Sequence, residues 1–403
     1  MFERRIPEWL RHAPAPSVRG FASLAGLEAI TRGVLISVFP VAMINVLQDP
    51  ALVSSVYFLV GVLSLVIGLL VPFLNKLIPR RFLYIFGILC YIVGNFLAIS
   101  GTQTAIVSVL ALNFFATVII YVCLNAYVLD YIARIELGKS ETLRLFYSAL
   151  GWTLGPVLGV FLWRWWPPSP FIFSAASAFI LLLVFLYMRL GNGKHIVKAR
   201  TPAVNPLAFM GSFVEQPRLV VGWSFAVIRS CGWWVYVVYL PIYAVTNEYS
   251  DQLGGILLSI TNAGLFLSPF MLKWVQRHSI RYAVKTGFFI SGLLFVMACV
   301  FGELPSVALG LLLSASLFLI LLDICGGLPF LMAVKPSERT EMSAIYSSFR
   351  DVSGIITPGV AWIVLLYAPV YGIFGVAGGA CLVAWRLASK LHPRLGQQRV
   401  IEN

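Results

Sequence analysis

The sequence predicts an all-α membrane protein whose twelve transmembrane helices form two pseudo-symmetric six-helix bundles, and three observations carry that prediction. Of 403 residues, 60% are hydrophobic and 11% charged, with a mean hydropathy of +0.90. A soluble domain of this length is not built from so apolar a composition. Apolar runs of about 20 residues, the length an α-helix needs to cross roughly 30 Å of hydrocarbon, recur along the whole chain. The halves also repeat: an offset of 197 lays Arg32 on Arg229, the "PF" of 72–73 on that of 269–270, Lys76 on Lys273 and Arg80 on Arg277.

The chain opens with "MFERRIPEWLRHAPAPSVRG", in which Glu3, Glu8 and the prolines precede the first apolar run. No small-residue cleavage site follows a short core, so residues 1–19 read as a cytoplasmic amphipathic segment and not as a signal peptide. Six spans follow, at 20–46, 51–74, 82–101, 104–132, 142–165 and 170–190, making an N-terminal lobe over 20–190. The segment 191–218, "GNGKHIVKARTPAVNPLAFMGSFVEQPR", is basic, polar and Pro-bearing, as a cytoplasmic linker would be. The C-terminal lobe, 219–388, holds spans at 219–245, 253–272, 283–302, 306–334, 342–366 and 370–388, and 389–403 is a cytoplasmic tail. Later spans match between the halves at an offset of 202, where "SETLRLFYSALGWTLGP" ends at Pro156 and "SERTEMSAIYSSFRDVSGIITP" at Pro358.

A formal charge of +13 raises the question of a nucleic-acid partner, and the placement of the basic residues answers it. All Lys and Arg except Arg32, Arg164, Arg229 and Arg350 are assigned to the termini and the even-numbered connections. That is the positive-inside pattern with both ends cytoplasmic, and it lacks the single aromatic-studded basic face that nucleic acid requires. The six cysteines fall in spans without CxxC spacing, which argues against disulfides and a Cys-ligated metal. All four histidines (His12, His195, His278, His392) fall in cytoplasmic segments, so proton coupling would fall to carboxylates.

Two parallel six-helix repeats joined by a cytoplasmic linker resemble the organisation of major facilitator superfamily transporters, over nearly the whole chain. Residues 151–159, "GWTLGPVLG", resemble the family's fifth-helix G-x-x-x-G-P-x-x-G pattern, which it associates mostly with antiporters. Gly151, Gly155 and Gly159 at i, i+4, i+8 would make a smooth face for close helix approach, bent by Pro156; ordinary small-residue packing is the competing reading. "NKLIPRRFLY" (75–84) resembles the loop signature G-x-x-x-D-R-x-G-R-R in its basic part, Lys76, Arg80 and Arg81. It departs from that signature in Asn75, which stands where the family has Asp, in the missing glycines and in one extra residue. In the family this loop latches the cytoplasmic gate, so these positions are expected to gate or to support. The fourth helix lacks the family's R-x-x-x-G arginine, which weakens proton-coupled drug antiport.

Glu28, Arg32, Asp130, Arg229, Asp323, Arg350 and Asp351 fall inside the spans. At about 3 kcal/mol apiece for a charge at mid-bilayer, they must face a watery cavity or one another. Glu28 and Arg32, four residues apart, share a helix face. Arg32 and Arg229 lie roughly 18 and 15 Å into the first and seventh helices, which line the central cavity in the family. They are expected to form an electropositive floor of the substrate site, with Glu28 as Arg32's partner or the coupling carboxylate; a structural ion pair is the alternative. Asp323 with Arg350 and Asp351 is expected to form a second network, for substrate or for packing, and Asp130 an interfacial ion pair near Tyr131 and Arg134. Trp233, four residues beyond Arg229, and Trp152 would hold a planar, partly polar ligand by stacking.

The segments "LEAITRGVLISVFPVAM", "PRRFLY" and "ETLRLFYSALGWTLGPVLGVFLW" resemble an alphaproteobacterial branch that includes copper importers and riboflavin importers. Its copper members carry paired Met and His ligands in helices seven and eight. Here the seventh helix has neither, and the eighth has Asn262 and Phe266, with Met271 only near its end. The expected protein is therefore a secondary transporter of the inner membrane, monomeric and without cofactor, metal or enzymatic activity. It would move a small riboflavin-like solute by alternating access, with protons as a candidate coupling ion. Proton-coupled efflux of drugs or metabolites is the alternative, and copper import ranks below it.

Overall fold

The computed structural model describes residues 17–132, 137–188, 210–334, 342 and 345–392. The expected N-terminal segment, most of the linker and most of the tail, together with Arg134 and the side chain of Lys76, lie outside the described residues. Those described are helical throughout, with no strand among them.

The chain runs α1 (Val18–Ile36), α2 (Val38–Leu47), α3 (Pro50–Leu77), α4 (Arg80–Ala98), α5 (Gln103–Tyr131), α6 (Leu137–Trp165) and α7 (Ser169–Met188). It continues with α8 (Met210–Val214), α9 (Pro217–Trp234), a π-helical turn (Val235–Tyr239), α10 (Leu240–Thr246) and α11 (Asp251–Ala263). The remainder are α12 (Ser268–Arg277), α13 (Ile280–Val300), α14 (Pro305–Cys325), α15 (Leu328–Ala333), α16 (Phe349–Leu365) and α17 (Tyr371–Ala388). Local chemistry sets many of the ends. Ser17, Thr102 and Ser279 cap α1, α5 and α13 by accepting from Gly20, Ala105 and Tyr282 N–H groups. Pro50, Pro217 and Pro305 open α3, α9 and α14, where a missing N–H costs nothing. Gly101, with φ +63°, turns the chain between α4 and α5.

Ten helical segments among the described residues are long and apolar enough to cross a membrane. Two of the twelve expected spans differ. The eighth is broken: Asp251–Leu267 and Phe270–Arg277 meet at 53°, around a 3₁₀ turn that precedes Pro269, whose backbone has no N–H to continue the ladder. The eleventh is represented by α16 alone, 17 residues or about 26 Å long. The seventh crosses as α9, the π turn and α10, and Pro241 withholds the N–H that the carbonyl four residues earlier would otherwise take.

The contacts divide the chain into two compact units, residues 1–42 with 63–200, and 43–62 with 201–403. The second unit thus includes the first half of α3. Close backbone approach explains this: a Cβ on Gly61 would come within 2.8 Å of the Gly354 carbonyl oxygen, and one on Gly359 within 2.9 Å of the Phe58 ring. The core of the first unit is a cluster in which Tyr84, Tyr91, Ile88, Cys123, Tyr127 and Phe185 are all buried. Lipid is as apolar as these side chains, so burial alone does not hold such helices together; small residues and polar contacts must.

Candidate functional site

In the first unit, α1 places Glu28 and Arg32 one turn apart on one face, and Arg32 Nη1 lies 2.9 Å from Glu28 Oε1. Counted from Val18, Arg32 is about 21 Å along the helix axis. Tyr91 of α4 donates to the same Glu28 oxygen at 3.3 Å, and its hydroxyl is 2.8 Å from Thr117 Oγ1 of α5. The Arg32 guanidinium carbon stands 4.9 Å from the centre of the Trp152 ring on α6. The Glu28 and Arg32 side chains are 14% and 30% exposed, so the pair is open on one side.

Trp152 reaches Arg32 because α6 lies almost against the backbone of α1. A Cβ on Gly151 would stand 2.6 Å from the Ala29 carbonyl carbon, one on Gly155 would strike the Gly33 backbone, and one on Gly159 the Val34 carbonyl oxygen. The three glycines therefore occupy the seam beside the ion pair. Pro156, inside α6, leaves the Trp152 carbonyl without its usual helical donor.

In the second unit, Arg229 of α9 points at α14, with its Nε 3.0 Å from Asp323 Oδ1 and its Nη1 3.5 Å from the Leu322 carbonyl. Trp233 Nε1 donates to the other Asp323 oxygen at 3.0 Å. The Arg229 guanidinium also stands 5.3 Å from the Phe349 ring centre, and Arg350 stands 5.6 Å from the same ring. Arg229 is 11% exposed and Asp323 32%.

The structure regroups the predicted residues. Asp323, expected with Arg350 and Asp351, also pairs with Arg229 and accepts from Trp233, both on α9, while Arg350 and Asp351 lie in the first turn of α16. Neither arginine is a bare positive charge: each is matched by a carboxylate within its own unit. Asp130, expected in an ion pair near Tyr131 and Arg134, pairs with Arg80 of α4, whose guanidinium lies 5.2 Å from the Tyr127 ring centre; Arg134 lies outside the described residues. Arg81 stands 4.6 Å over Phe82, and the Asn75 side-chain oxygen is buried with no hydrogen-bond partner.

Sequence reasoning missed three participants. Tyr91 and Thr117 complete the Glu28 cluster from two other helices, and no spacing in the chain connects them to α1. Arg144 had been assigned to a connection, but it lies inside α6, is 9% exposed and donates to Asn125 Oδ1 at 2.9 Å. Its position within the apolar run from 142 was the available signal. Lys285, assigned likewise, lies inside α13 at 5.9 Å from the Trp385 ring centre.

Comparison with known proteins bears on this arrangement. A sequence profile described as Major Facilitator Superfamily matches residues 21–358. No curated protein matches the chain significantly. Among solved structures, the chain resembles a peptide transporter, POT, in complex with sulfate, at 14% identity and TM-score 0.73, covering 96% of this chain and 97% of that one. It resembles the nucleoside transporter NupG at 14% identity and TM-score 0.68, covering 93% and 99%. It also resembles a bacterial homologue of the iron transporter ferroportin in its inward-facing state, at 13% identity and TM-score 0.70, covering 93% and 99%. At these identities the likeness concerns the fold.

Proposed function

The chain belongs to the Major Facilitator Superfamily and is a membrane transporter, and from that premise we propose that it moves a small, neutral, planar and partly polar organic solute by alternating access. It acts as a monomeric secondary transporter, performs no chemistry on the solute, and resides in the bacterial inner membrane with both termini cytoplasmic. Riboflavin is the solute to test first. The observation that carries the reading is the design shared by the two clusters: a guanidinium over an aromatic ring, matched by one carboxylate. Charge-matched sites disfavour a net-charged solute, whose own charge would have to be desolvated without a counter-charge. The aromatic faces and the forked donors of Arg suit a planar solute with hydrogen-bonding edges.

Glu28 is the carboxylate we assign to proton coupling, because its protonation breaks the pair with Arg32 and frees that guanidinium for the solute. The test is uptake of labelled riboflavin by a riboflavin-auxotrophic bacterium expressing the protein, with copper accumulation followed in the same cells. Saturable flavin uptake without copper gain supports the reading, and Arg32→Ala and Arg229→Ala should then insert but not transport. No uptake from protein demonstrably in the membrane would remove riboflavin. It would leave proton-coupled efflux of drugs or metabolites, which the Gly151–Gly159 seam favours. Copper import ranks below both, because the seventh helix carries neither Met nor His.

A further inference from the structure

The repeat that relates Arg80 to Arg277 breaks down in what each arginine meets. Arg80 is neutralised by Asp130. The position 197 residues beyond Asp130 is Gly327, and the stretch 264–302 contains Lys273, Arg277, Arg281 and Lys285 but no Asp or Glu. Among the described residues neither Lys273 nor Arg277 has a carboxylate within ion-pair distance, and both side chains are exposed.

Beside them, α12, α13 and α14 enclose a cleft of about 270 Å³ lined by Met271, Trp274, Thr286, Leu317, Phe318 and Leu321. Only one of these side chains is polar. Lys273, Trp274 and Arg277 fall on one face of α12 by helical spacing, and exposed Phe270 continues that face. Met271 lies six residues before Arg277, so the cleft opens about 9 Å further into the membrane than the guanidinium's own backbone. His278 accompanies the cluster, its ring centre 4.7 Å from that of Trp274 and 5.4 Å from that of Tyr282. Stacked aromatic rings with a polar edge at the end of a span mark the depth of lipid headgroups.

We propose that this cleft is a binding site for one anionic phospholipid, with an acyl chain between α12 and α14 and the headgroup phosphate held by Lys273 and Arg277. The lipid supplies the anion that Asp130 supplies in the first unit. Two exposed basic side chains on the helix that supplies Met271 and Trp274 favour a lipid of net negative charge over a zwitterionic one, whose own cation competes for the phosphate. The site is independent of the transported solute.

The test is native mass spectrometry of the delipidated full-length protein titrated with dioleoyl phosphatidylglycerol or dioleoyl phosphatidylcholine. Phosphatidylglycerol should be retained at least about tenfold more tightly than phosphatidylcholine, and Lys273→Gln with Arg277→Gln should weaken that retention about 25-fold, roughly fivefold per basic side chain. Leu317→Trp, which fills the cleft from a half-exposed position, should release both lipids, while Arg218→Gln, an exposed basic residue outside the cleft, should change nothing. Equal retention of the two lipids, undiminished phosphatidylglycerol retention by the double variant, or an equal loss in Arg218→Gln would overturn the assignment.

Discussion

Arg32 and Arg229 stand at matching places in the two halves, yet the first is satisfied within its own helix and the second by a different one. Arg32 meets Glu28 one turn away on α1, and among the described residues the hydrogen bond that reaches this carboxylate from another helix comes from Tyr91 of α4. Arg229 meets Asp323 across from α9 to α14, and Trp233 adds a second bond from the same helix to the same carboxylate. The first pair forms whenever α1 forms and does little to fix its neighbours, so the association of α1 with α6 falls to the glycine seam. The second pair is itself a tie between helices. A repeated residue in this protein therefore does unequal structural work, and the weaker tie belongs to the pair that has more freedom to open.

This contrast can be broken most sharply at Asp323. Asp323→Ala leaves a guanidinium that is 11% exposed without its carboxylate, and should cost about 3 kcal/mol, read as a thermal unfolding midpoint lower by roughly 4 °C in detergent. The exchange Arg229→Asp with Asp323→Arg should recover part of that loss; no recovery would show that the two do not act as a pair. Gly159→Ala should cost about 2 kcal/mol, because its Cβ collides with the Val34 carbonyl and α1 must move away. Gly310→Ala in α14, with nothing within 4 Å of an added Cβ, is the matched control and should leave the midpoint unchanged or raise it.

Glu28→Gln should cost only about 1 kcal/mol while abolishing the pH dependence of uptake. If it lowers the unfolding midpoint as much as Asp323→Ala does, the distinction between a local pair and an interhelical tie is lost. The smallest effect is expected at Trp152→Leu, which removes the ring under Arg32 for about 0.5–1 kcal/mol of stability. Its larger consequence should be a raised KM for the solute with little change in maximal flux.

Contacts carried by near neighbours along the chain were readable in advance. The Glu28–Arg32 pair follows from a spacing of four, and so does the glycine face of Gly151, Gly155 and Gly159. The identity of what lies across a helix boundary was not readable. Asp323 resembles Asp351 as a lone carboxylate within an apolar run, and nothing in the local pattern says that one meets Arg229 and the other does not. Asp130 shows the same ambiguity, since nothing in the local pattern names Arg80, fifty residues earlier on α4, as its partner. The break in the eighth span was written in Pro269, but hydropathy averaged over a window passes over one residue.

The sequence by itself determined the membrane class, the succession of apolar helices and the placement of ionisable side chains along each helix. These follow from composition, from helix length set by bilayer thickness, and from the fixed 3.6-residue turn, all of which act within one segment. Only the tertiary structure decided which carboxylate neutralises Arg229, that Tyr91 and Thr117 hold Glu28, and that Lys273 and Arg277 have no acidic partner among the described residues. Those outcomes depend on the rotation and depth of each helix against its neighbours, which packing sets and hydropathy does not encode.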